Sequence, residues 1–94
     1  MKDSIWLGVS NGLVDLSGVQ AVEIVPYSYK SCIRLWCKKK SIYLANIEDE
    51  NTPSYQIKEG PTKYLDQLVK MIIGTEIGYR HIEGLTVHGI VSHE

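Results

Sequence analysis

Short apolar stretches of strand length, separated by Gly, Pro and polar clusters, fill most of the chain, and a helical period appears only in the 61–73 region. Residues 5–9 and 13–16 are apolar runs separated by Ser10-Asn11-Gly12. Asn-Gly supplies the positive φ angles of a type I′ turn, so the pattern predicts a hairpin turning at Asn11-Gly12. Ser17-Gly18 breaks the chain again, and residues 19–25 carry apolar side chains on both faces until Pro26 ends the run.

Residues 31–37 alternate more cleanly. Ile33, Leu35 and Cys37 point one way, and Cys32, Arg34 and Trp36 the other. Lys38-Lys39-Lys40 is the expected turn, with residues 41–45 as the returning arm. Residues 48–54 read as a polar loop, and residues 55–57 as a short edge strand before Gly60-Pro61.

Over residues 61–73 the spacing predicts a helix, with Gly60 or Thr62 as cap, Pro61 in the first turn and Gly74 as the stop. Leu65, Leu68, Val69 and Ile72 form its apolar stripe, and Tyr64, Met71 and Ile73 widen the arc to roughly 200°, about twice what packing on one sheet requires. The surplus calls for a cover: the C-terminal tail or a second copy of the chain. Leu68, Met71 and Ile72 are therefore the expected oligomer contacts. The tail, punctuated by Gly78, Gly84 and Gly89, reads as short strands at 79–82 and 85–88.

These elements define an α+β fold: an antiparallel meander or roll of about five to six short strands, one amphipathic α-helix packed on it, and a strand-like C-terminal tail. Residues 1–94 are expected to form a single domain, since a chain this short buries only roughly 60–65% of the surface its unfolded form exposes. No apolar run approaches the roughly 18 residues of a membrane span. The N-terminus lacks a signal peptide's apolar block, which makes the cytoplasm the expected location and a membrane partner unexpected.

The formal net charge is −1, yet it conceals segregation. Arg34, Lys38, Lys39 and Lys40 give residues 31–46 a charge of +4, whereas Glu48, Asp49, Glu50 and Glu59 against Lys58 give residues 47–62 a charge of −3. Cys32 and Cys37, five residues apart on a strand, lie roughly 16 Å from each other and on opposite faces, too far to form a disulfide. His81, His88 and His93 have spacings unlike those of zinc sites, so no metal or other cofactor is expected. No nucleophile elbow or phosphate-binding glycine loop occurs, and no catalytic residues are assigned.

The most distinctive chemistry is the basic aromatic strand. Arg34, Trp36 and Lys38 fall at alternate positions, with Tyr29 before them and Lys39 and Lys40 after. These six residues are the expected recognition patch. The leading expectation is a non-enzymatic protein that occupies a site on another macromolecule as a homodimer or small oligomer. An accessory or inhibitory role, such as a mobile element's protein plays, fits that reading. The alternative is binding of nucleic acid or nucleotide, because cations interleaved with rings serve phosphates and bases together. A small hydrolase or metal enzyme using His81, Glu83 and His88 is the third.

Overall fold

The computed structural model describes residues 4–27, 30–74 and 78–93. In chain order its elements are β1 (Ile5–Val9), β2 (Gly12–Asp15), β3 (Val19–Tyr27), β4 (Lys30–Cys37), β5 (Lys40–Asn46), α1 (Ile47–Glu50), α2 (Leu65–Ile73), β6 (Gly78–His81) and β7 (Leu85–Ser92). Short 3-10 segments at Ser54–Gln56 and Gly60–Tyr64 precede α2. The architecture is α+β, as the pattern predicts, with seven strands in two sheets among the described residues.

The first sheet has the order β2-β1-β6 and the second β3-β4-β5-β7. The strands therefore do not form one continuous meander. Ser17-Gly18 carries the chain from one sheet to the other, held at the corner by Val19 N–H donating to the Leu16 carbonyl. The tail divides likewise: β6 pairs in parallel with β1, and β7 runs antiparallel to β5. A parallel partner requires a long crossover, which the second sheet and the helix provide.

The core lies between the two sheets. Ile5, Leu7, Val9 and Val14 from the first, with Leu16 just after β2, meet Ile33, Leu35, Ile42, Leu44 and Leu85 from the second, and Tyr64, Leu68, Met71 and Ile82 complete the cluster. Cross-strand register explains the alignment, since Val22, Leu35, Ile42 and Ile90 face one another in a row, as do Ile24, Ile33, Leu44 and Val87. Leu68 and Met71, expected at an oligomer contact, are buried within this chain's own core. Ile72 is half-buried, and Ile73 is the exposed residue of the apolar arc. The core shared by the two sheets thus takes up the Leu68 and Met71 side of the arc.

Three local expectations are corrected. Val9 pairs with Gly12, so the two-residue loop is Ser10-Asn11 and not Asn11-Gly12. Register follows Asn11, whose side-chain amide donates to the Val87 carbonyl (2.9 Å) and accepts from the Val87 N–H (2.8 Å), clamping the hairpin tip to β7. Residues 48–54 are not wholly loop, because Asn46 accepts from the Glu48 N–H through Oδ1 and nucleates α1. Residues 55–57 form no strand: Pro53 precedes a 3-10 turn closed by Gln56 and Ile57 amides. The helix stands, with its first turn wound as 3-10 from Gly60 and its end at Gly74.

Gly84 adopts φ +94, and a Cβ there would run into the Tyr64 hydroxyl. Its carbonyl accepts from Ile47 N–H at 2.8 Å, so this close approach ties the β6–β7 corner to the start of α1.

Candidate functional site

Two surfaces concentrate chemistry. The first is the outer face of the four-stranded sheet, where β4 places Arg34 and Trp36 side by side. The Arg34 guanidinium lies 3.4 Å from the Trp36 ring centroid and 5.4 Å from that of Tyr43. Its Nε donates to Ser41 Oγ at 3.1 Å. Glu23, opposite Arg34 on β3, accepts from Trp36 Nε1 at 2.8 Å and sits 3.7 Å from Arg34. The His93 ring packs 5.6 Å from Trp36, and its Nε2 is buried with no hydrogen-bond partner among the described residues.

This cluster spends much of what the basic strand offers. One Trp36 face is covered by Arg34, and Glu23 meets the guanidinium charge. Lys38 does not continue the Arg34–Trp36 face as the alternation predicts, because the hairpin turns at Lys38-Lys39. Both lysines are exposed there. Lys40 starts β5 on the opposite face from Ser41 and acts electrostatically on Asp15. Tyr29 lies outside the described residues. Of the six expected recognition residues, the structure brings Arg34 and Trp36 into contact and leaves the lysines at the hairpin end.

The second surface is the outer face of the three-stranded sheet. Trp6 pairs with Tyr79 across β1 and β6, and Gly8 pairs with Leu13 across β1 and β2. The Tyr79 ring lies over Gly8, where any side chain would displace it. Trp6, Leu13 and Tyr79 thus form one continuous apolar and aromatic patch, 39%, 61% and 63% exposed. Polar groups rim it. Asp15 accepts from Ser17 Oγ (2.6 Å) and Ser17 N–H (2.9 Å), bonds that hold its carboxyl below the ordinary value of 3.8. His81 Nε2 sits 3.1 Å from Glu83 Oε2, joining two residues that the sequence places on one strand face.

Sequence reasoning misses this patch, since only the parallel β1–β6 pairing brings Tyr79 beside Trp6 and Gly8. A signal was present in part: Leu13 and Trp6 occupy the positions that alternate with buried Val14 and Leu7.

A cavity of about 580 Å³ opens elsewhere on the outer face of the larger sheet, lined by Cys32, Ala45 and residues 49–54. Lys30 closes one side by donating to the Asp49 and Glu50 carbonyls at the end of α1. Cys32 and Cys37 are both free, and burial pushes each thiol above its ordinary value. Among the described residues, no three His, Cys, Asp or Glu side chains gather as a metal site. None of the described helices is long and apolar enough to cross a membrane. Comparison with protein-family models, curated proteins and solved structures finds no match for this chain.

Proposed function

We propose that the protein is a non-enzymatic interaction module that self-associates through the outer face of its three-stranded sheet. The observation that carries this reading is the contiguous, exposed Trp6–Leu13–Tyr79 patch with its polar rim of Asp15, His81 and Glu83. Exposed apolar patches rimmed by polar groups mark interaction surfaces. Aromatic side chains at the centre of such a patch supply most of an interface's free energy.

The helix, with Leu68 and Met71 in the core, is not the contact in this reading. The patch takes its place. Three side chains are the centre of an interface and not its whole extent, which places the association at the weak end, with a Kd on the order of 10 µM. Sedimentation equilibrium of the wild type and of Leu13→Asp tests it. Leu13 is exposed, so the substitution spares the core while placing a charge in the contact.

Binding of nucleic acid or nucleotide has weaker support, because Arg34 and Trp36 are engaged with each other and with Glu23.

A further inference from the structure

We propose that β3 accepts an extended peptide as an added strand, with an apolar side chain of the peptide seated between β3 and α2. This goes beyond self-association and uses a different sheet. β3 is the edge of the order β3-β4-β5-β7, so one side of its backbone has no strand beside it among the described residues. Pro26 shows which groups face outward: a proline fits an edge strand where its nitrogen points away from the ladder. Strand alternation then turns the amides and carbonyls of Val22 and Ile24 to that same side, away from β4.

Beside this edge runs a groove of about 290 Å³ lined by Val19, Ala21 and Val22 of β3 and Val69, Ile72 and Ile73 of α2. Ile73 is 77% exposed on its wall. Gln20 is the extra residue of a bulge, since Val19 pairs with Cys37 and Ala21 with Trp36. The bulge bends the strand at the groove's end.

The two features together define the occupant. Outward amide and carbonyl groups of an edge strand are met in register by another extended backbone. A helix or a small apolar molecule satisfies the groove and leaves those groups unanswered. The groove holds one or two apolar side chains, so the recognised segment is extended and carries an apolar residue at a fixed position, with alternate side chains directed to solvent.

The test selects binders from a phage-displayed random-peptide library against the whole protein, then follows a recovered peptide by NMR on nitrogen-labelled protein. The expected result is a shared apolar position among recovered peptides and shift changes confined to β3 and α2. Amide exchange at Val22 and Ile24 should slow about tenfold or more on saturation. Ile73→Lys and Ala21→Arg, both at exposed positions, should each weaken binding about tenfold while leaving the folded spectrum intact. Recovery of no consensus, binding that maps elsewhere, or groove shifts without protection of Val22 and Ile24 overturns the proposal. So does protection of those amides by concentration alone, which identifies a second copy as the occupant.

Discussion

Asp15 illustrates how much a single side chain does here. It ends β2, receives two hydrogen bonds from Ser17, and so sets the corner at which the chain leaves one sheet for the other. Because its carboxyl titrates below the ordinary value of 3.8 in the folded state, the contribution is present above that value and lost as the pH falls through the lower folded one. Ser17→Ala removes the side-chain donor. It should lower stability by about 0.5–1 kcal/mol at neutral pH, with the difference from wild type shrinking in acid, as urea titrations at both pH values will show. Asn11 marks the limit of reading residues alone. Asn-Gly correctly signals a hairpin, but the clamp of Asn11 on Val87 shifts the loop by one residue. That partner is 76 positions away, and no local pattern contains it.

At the scale of elements, the helix and the β4–β5 hairpin are the most legible, because each is held by contacts close in sequence. Gly60-Pro61 and Gly74 bracket α2, and the alternation of β4 survives in the burial of Ile33 through Trp36, although Cys32 is buried on the face expected to be open and Cys37 is only half-buried. Residues 55–57 mislead because Tyr55 and Ile57 have strand-like side chains but pair with no strand among the described residues. The apolar arc of the helix was legible, but its cover was not. Leu68 is fully buried in the core, so Leu68→Ala should cost about 2–5 kcal/mol, whereas Ile73→Ala should cost about 0.5 kcal/mol or less. Thermal melts of the two variants separate a core face from a free one. Equal losses would contradict the placement of α2.

Across the whole molecule, the β1–β6 pairing joins the two ends of the chain and the β5–β7 pairing joins its middle to its C-terminal part, and composition carries no record of either. The candidate site is affected in both directions. Arg34 and Trp36 do share a face, but folding places Glu23 against them and puts Lys38 in the turn, so the basic patch is smaller than its sequence. Single-stranded oligonucleotide binding should accordingly be weak at low salt and absent near physiological ionic strength, checked by fluorescence anisotropy at two salt concentrations. Tight binding that Lys39→Glu abolishes would restore the nucleic-acid reading. The Trp6–Leu13–Tyr79 patch, by contrast, exists only after folding.

In the proposed function, that patch is the self-association surface. Sedimentation equilibrium from about 0.5 µM to about 1 mM tests this directly. Wild type should pass from the 10.6 kDa chain to twice that mass, and Leu13→Asp should remain at 10.6 kDa throughout. A wild-type protein that stays monomeric over the whole range, or a Leu13→Asp variant that dimerises as well as wild type, would contradict it.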